Sequence, residues 1–243
     1  MIPKKLHYCW FGRGKHSLEM KRCLASWRYH MPDYEQVCWS EENFDVTQHP
    51  FTAAAYASGR YAFVSDYVRM HVLGEHGGIY LDIDVEVKAR FDSCLSYNLF
   101  IGLEDYRRFA TSVIGACAGH WLPQAMLHYY NLHSFDLNNL SALVNVNEVS
   151  RLLLEKGFSG EGGSEQIGNE RVFEIGVFAS SRNQAPKVRP IARHLYAGSW
   201  RAPKNKKSLA SKAYRKLRKL PNQLEDFIFL NIYKIKIIMQ KKE

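Results

Sequence analysis

The chain has 243 residues, 46% of them hydrophobic and 13% aromatic, which suits one globular domain and excludes a disordered or low-complexity protein. No run of 18 or more apolar residues predicts a membrane span, and Met1-Ile2-Pro3-Lys4-Lys5 leads toward a strand rather than a secretion signal. The net charge is +9, but 13 basic and 3 acidic residues fall within Arg201–Glu243, so the first 200 residues, with 20 basic and 21 acidic groups, are close to neutral. The five cysteines are scattered without CxxC spacing, as expected of reduced thiols in a cytosolic protein with no zinc site.

In chain order, Lys5–Trp10 predicts a strand and Ser17–His30 a helix with Met20, Cys23, Leu24 and Trp27 inward. Pro32-Asp33 turns the chain into a second strand, Glu35–Trp39. From about Thr52 to Glu75, Val64, Tyr67, Val68, His71 and Val72 recur at helical spacing, and Gly77-Gly78 ends that helix in a tight turn. Ile79–Val87 alternates apolar and polar residues and predicts one continuous strand. Beyond it, Leu99–Gly102, Ser112–Ala116 and Val172–Phe178 read as strands, and Trp121–Leu132 and Val146–Lys156 as helices. Gly160–Gly168 reads either as a phosphate cradle or as a mobile surface loop; without a following Lys-Ser/Thr the loop is favoured. This βαβαβ order predicts an α/β fold with a mostly parallel sheet of Rossmann type, whose ligands sit beyond the carboxyl ends of the strands.

Residues Ser65–Asp84 concentrate the chemistry. Alternation places Tyr80, Asp82, Asp84 and Glu86 on one strand face, with the two aspartates roughly 6–7 Å apart at ~3.3 Å per residue. Such a pair suits a hard divalent cation carrying phosphates and waters. Asp66 and Arg69 are i, i+3 neighbours on the preceding helix, which the diglycine turn delivers beside that strand. The alternative is an ion pair on a solvated helix followed by an exposed strand.

Ser65-Asp66-x-x-Arg69 with Gly77-Gly78-Ile79-Tyr80-Leu81-Asp82-x-Asp84 resembles the signature of DXD-containing sugar-nucleotide glycosyltransferases of family 32, and is similar to the catalytic domains of large glucosylating toxins. Ile2–Gly12 and His194-Leu195-Tyr196-Ala197-Gly198-Ser199-Trp200 match the same family, in the same order. The resemblance implies a GT-A-like fold over 1–200, a nucleotide-sugar donor (UDP-sugar favoured, GDP-sugar possible) and a divalent metal, Mn²⁺ or Mg²⁺. It implies metal contacts from Asp82, Asp84 and His194. It places Asp66 and Arg69 on sugar hydroxyls, Ser199 and Trp200 over the diphosphate, and Trp10, Ser65 and Tyr80 about the nucleotide. It also implies retention of anomeric configuration. His194 has the alternative of a satisfied strand histidine, and Trp10 that of a core tryptophan.

Within 201–243, Leu209, Ala213, Leu217 and Leu220 form an apolar stripe among lysines and arginines, and a second apolar piece, Leu224–Met239, follows Pro221. A basic amphipathic helix of this kind suits an anionic membrane surface; packing of the stripe on the body is the alternative, and nucleic acid is not expected. The expectation is a glycosyltransferase moving a hexose or N-acetylhexosamine to a saccharide acceptor, lipid-linked, in surface polysaccharide or O-antigen synthesis, peripheral on the inner face of the cell membrane. Two other classes compete: a haloacid-dehalogenase-like phosphatase using Asp82-Ile83-Asp84-Val85, and a non-catalytic membrane-docked sugar-binding protein.

Overall fold

Strand β1 (Lys5–Cys9), helix α1 (Leu18–His30) and strand β2 (Glu35–Trp39) open the chain, followed by α2 (Pro50–Ala57), α3 (Tyr61–His76), β3 (Gly78–Leu81) and β4 (Val85–Val87). Then come β5 (Leu99–Asp105), β6 (Arg108–Ala116), α4 (Trp121–Leu132), α5 (Asn145–Glu155), β7 (Glu165–Ile167), β8 (Glu170–Phe173), β9 (Ala192–His194) and α6 (Leu209–Gln240). The computed structural model describes residues 1–179, 188–196 and 209–240, the last with side chains from 220 onward.

Seven strands form one sheet in the order β2-β1-β3-β6-β5-β8-β7. β1 pairs in parallel with β2 and β3, and β5 with β8, whereas β6 and β7 run against their neighbours. Five strands therefore share a direction, a mostly parallel sheet. The alternation in β3 divides the core in two. Tyr80 packs with Val64, Val68 and Val72 of α3 on one face, while Ile79 and Leu81 pack with Cys23, Leu24 and Trp27 of α1 on the other. Helix α1 starts at Ser17, whose side chain accepts from the Met20 amide.

Several sequence expectations are corrected here. The long helix is two, because Gly59 takes φ +66° and the Arg60 amide closes back on the Ala55 carbonyl. The Ile79–Val87 strand also breaks. At Asp82 the chain turns, the Val85 amide donating to the Asp82 carbonyl, and β4 leaves the main sheet to pair antiparallel with β9. Period-two alternation continues across that turn because β4 has an apolar face of its own, Val85 and Val87, both buried. The shared face of Tyr80, Asp82, Asp84 and Glu86 therefore does not exist. Glu86 of β4 is fully buried, bound by both Nε and Nη2 of Arg22.

The last expected strand, Val172–Phe178, stops at Phe173. Gly160–Gly168 contains β7, paired with β8, and the Ser159 and Gly160 amides donate to Glu165, so those donors are not offered to a phosphate. Pro221 does not split the basic segment either. Although proline removes one hydrogen bond from the ladder, α6 runs through it as one helix of 32 residues docked on α1. Gly77 and Gly78 are required as read: both have positive φ, and a Cβ would lie 2.6 Å from the Ala118 nitrogen at Gly77 and 2.7 Å from the Lys5 oxygen at Gly78.

Candidate active site

At the carboxyl ends of β1 and β3 lies a cavity of about 490 Å³, walled by β1, α3, β6, the start of α5 and the residues flanking the β4–β9 ribbon. Asp66, Arg69, Asp82, Asp84, His194, Ser65, Tyr80 and Trp10 all line it. Ser199 and Trp200 lie outside the described residues.

Arg69 is the organising group. Its guanidinium is buried on α3, 3% exposed, so its charge needs partners. Nη1 donates to the Thr111 carbonyl at 2.6 Å, and Nη2 reaches Asp82 Oδ1 at 2.9 Å and Asp66 Oδ1 at 3.0 Å. The face of the guanidinium lies 4.5 Å from the Tyr80 ring centroid. Tyr80, fully buried, is thus a shelf beneath Arg69 rather than an open stacking surface. Ser65 turns its hydroxyl to the Tyr61 carbonyl one helical turn back.

Burial raises the Asp66 carboxyl to about 7, with Arg69 opposing and the Asp82 charge adding to the rise. Burial likewise raises Asp82 against the pull of Arg69. For His194, burial favours the neutral ring, but the hydrogen bond and charge of Asp84, with the charge of Asp82, outweigh it and raise its pKa. The charges of Asp84 and Asp82 thus meet the His194 ring at one end of the cavity.

That end fits a small divalent cation. Asp82, Asp84 and His194 each offer one ligand atom, all within 4.8 Å of one another. Asp84 Oδ1 and His194 Nε2 are 3.3 Å apart, near the ~3 Å between adjacent ligands of an octahedral ion at ~2.1 Å. Two carboxylates and one imidazole leave other positions for waters and phosphate oxygens. The spacing is fixed by backbone: Val85 pairs with His194, and the Leu195 amide donates to the Asp84 carbonyl at 2.9 Å. The His194 ring stacks on Tyr196, centroids 4.0 Å apart, and its buried Nδ1 has no hydrogen-bond partner among the described residues.

Trp10 is half-buried on the cavity wall. Its indole N–H is used locally, on the Gly14 carbonyl at 2.8 Å, and its ring meets His16 edge-on. This leaves the ring rather than the N–H facing the cavity.

Asn145, at the start of α5, was not visible in the sequence. Its Nδ2 donates to Asp66 Oδ1 at 2.9 Å, and its Oδ1 accepts from Thr111 Oγ1 at 3.1 Å. Asn145 and Arg69 together fix one oxygen of Asp66. An asparagine opening a helix reads as a capping residue, and no local pattern ties it to a carboxylate 79 positions away.

A mostly parallel α/β sheet with an Asp-x-Asp pair leaving the carboxyl end of a central strand is the arrangement expected of a GT-A-like fold. Residues 17–101 match the family model described as "Glycosyltransferase sugar-binding region containing DXD motif", the stretch that holds Asp66, Arg69, Asp82 and Asp84. Inositol phosphoceramide mannosyltransferase 3 of Schizosaccharomyces pombe is 31% identical over 144 residues, covering 56% of this chain and 39% of that protein. Mannosyl phosphorylinositol ceramide synthase SUR1 of Saccharomyces cerevisiae is 24% identical over 127 residues, 49% of this chain and 32% of that protein. The chain thus spans well under half the length of these curated relatives. Among solved structures, PaToxG glycosyltransferase superposes with a TM-score of 0.53 at 21% identity, over 64% of this chain and 69% of that one, a likeness of fold.

Proposed function

We propose that the protein is a metal-dependent glycosyltransferase that moves a hexose from a nucleoside-diphosphate sugar to a hydroxyl of a saccharide-bearing acceptor. The observation that carries this reading is the meeting, in one cavity, of the Asp82/Asp84/His194 cluster with the Asp66–Arg69–Asp82 network. The first can hold a cation and the second is built to grip hydroxyls. A divalent metal held there would neutralise the diphosphate as it departs.

The chain's own residues orient the donor. Arg69 is held in place by Thr111, Asp82 and the Tyr80 ring, and Asp66, fixed through one oxygen, presents the rest of its carboxyl to a sugar hydroxyl. The likeness to an inositol phosphoceramide mannosyltransferase and a mannosyl phosphorylinositol ceramide synthase favours mannose among hexoses and a lipid-borne acceptor. The phosphatase reading is not favoured: no lysine lines the cavity among the described residues, and Asp82 Oδ1 is committed to Arg69.

The test is a thermal-shift panel of uridine and guanosine diphosphate sugars with and without Mn²⁺. A ligand that binds only the folded state raises its apparent stability. A metal-dependent shift for one donor, lost in Asp84→Ala with fold retained, is the expected result. No shift with any donor, or full turnover by Asp84→Ala, overturns the reading.

A further inference from the structure

Helix α6 is buried on one side and apolar on the other. Asp226, Leu230 and Tyr233 face the body, where Leu230 and Tyr233 pack with Ala25 of α1. On the opposite side Leu224, Phe227, Ile228, Ile235, Ile238 and Met239 are all exposed, between 47% and 62% of their surface. At 3.6 residues per turn these six span an arc of about 120°, whose centre lies roughly opposite the docked face. A water-facing helix of a soluble domain is polar on that side; here eight of the fifteen large hydrophobic side chains exposed among the described residues fall on this one helix.

Charge identifies what covers them. The only acids between Leu209 and Gln240, Glu225 and Asp226, both pair with Arg22, at 2.8 and 3.1 Å. Nothing negative therefore stands on the apolar face. Lys234 and Lys236 bracket it, one on each side, and the helix carries five further basic residues between Lys212 and Lys219. An apolar stripe rimmed by lysines matches the boundary of a bilayer, acyl chains against the stripe and anionic headgroups against the rim. Among the described residues no helix is long and apolar enough to cross a membrane.

We infer that the face of α6 running from Leu224 to Met239 docks in the plane of an anionic lipid surface, so that the catalytic body works on acceptors held in that surface. The docked side of α6 makes the contact directional. Arg22 of α1 joins Glu225 and Asp226 to Glu86 of β4, and the Tyr233 hydroxyl donates to Glu86 at 3.0 Å. β4 begins one residue after Asp84. The helix on the lipid and the β4–β9 strand pair beside the candidate metal ligands are therefore one packed unit. The acceptor side of this inference rests on the transferase reading, whereas the lipid contact stands without it.

The experiment is co-flotation of the full chain with vesicles of phosphatidylcholine alone or with phosphatidylglycerol added. The paired variant Phe227→Ser/Ile235→Ser removes the apolar face at exposed positions, and Lys234→Gln/Lys236→Gln removes its rim. Binding to the anionic vesicles that falls with salt and drops roughly tenfold or more in the serine pair, with the melting temperature unchanged, is expected. The lysine pair should weaken binding to the anionic vesicles and leave the neutral ones unaffected. Absence of vesicle binding by the parent chain overturns the inference, as does binding that the serine pair leaves intact. A parent chain that forms dimers which the serine pair dissociates, with no lipid bound, makes the face a contact between copies instead. The metal-dependent donor shift, read on the same variants, is expected to persist; its absence in the parent chain would defeat the transferase reading while leaving the flotation result to stand by itself.

Discussion

Asn145 tests how tightly the proposed sugar-binding groups must be held. Its amide and Arg69 fix the same oxygen of Asp66, and truncation to alanine removes one of those two hydrogen bonds at a part-buried site. A lost hydrogen bond to a charged group costs about 1.5–3 kcal/mol. Asn145→Ala is expected to reduce kcat/KM for the donor by tenfold or more, through the looser Asp66 carboxylate, while the Asp84 and His194 end still gives a metal-dependent shift. Steady-state kinetics alongside donor titration check this, and unaltered kcat/KM would remove Asn145 from the positioning network. His7 shows the same logic in a structural role. It is fully buried, accepts from the Trp39 indole through Nδ1 and lies 2.9 Å from the Gly77 carbonyl through Nε2, so the neutral ring donates from Nε2. A second proton would face the Trp39 N–H. Burial lowers its pKa to about 4, with the Gly77 hydrogen bond opposing. The unfolded chain takes up this proton near pH 6.5 and the folded chain does not until about 4. His7 therefore favours the fold fully above pH 6.5 and loses that advantage, about 3 kcal/mol, as pH falls to 4. Denaturant melts of His7→Gln against the parent chain should show a shallower decline over that window, and equal slopes would count against it.

At the scale of elements, the α1–β4–α6 junction depends on a buried charge group. Arg22 is 2% exposed and Glu86 fully buried, with Lys88 and Tyr233 also on Glu86. Arg22→Met takes the guanidinium away from Asp226 and leaves buried Glu86 only Lys88 and Tyr233, and breaking such a buried pair costs up to about 3–5 kcal/mol. Arg22→Met/Glu86→Leu should recover part of that loss in denaturant melts; a single variant as stable as the parent would deny the junction its role. The junction also shows why sequence legibility stopped where it did. The α1 helix, the βαβ opening and the Asp66/Arg69/Asp82/Asp84 grouping were legible because their signals are local: caps, period and i, i+3 spacing. The turn at Asp82–Asp84 was not, because Val85 and Val87 continue the alternation of β3 while facing a different sheet. Glu86 read as an active-site or solvated carboxylate because its partners, Arg22 and Tyr233, lie 64 and 147 residues away. The helix break at Gly59 carried a signal, a glycine in the left-handed region, that apolar periodicity on both sides obscured.

For the whole molecule the question is whether 201–243 is an appendage on a complete body. Charge asymmetry alone suggests a separable tail, but the contacts of α6 do not. Leu230 and Tyr233 are 7% and 5% exposed, and Asp226 and Tyr233 complete the shells of Arg22 and Glu86. Full burial of two such side chains stabilises by about 1.5–3 kcal/mol each, and a chain of this size shifts its melting temperature by about 2–4 °C per kcal/mol. Deleting residues 209–243 should therefore lower the melting temperature by roughly 10 °C, where removal of an undocked tail would leave it in place. The candidate metal end should nevertheless survive. β4 is held to α1 without α6, the Trp27 indole donating to the Val85 carbonyl at 2.7 Å and the Val87 amide to Ser26 Oγ at 2.9 Å. Measured below its lowered melting point, the shortened chain should still show the metal-dependent donor shift while losing vesicle binding. Loss of the donor shift in a folded, shortened chain would mean that the α6 contact reaches past β4 into Asp84 and His194, and that lipid docking and donor binding are coupled rather than merely joined.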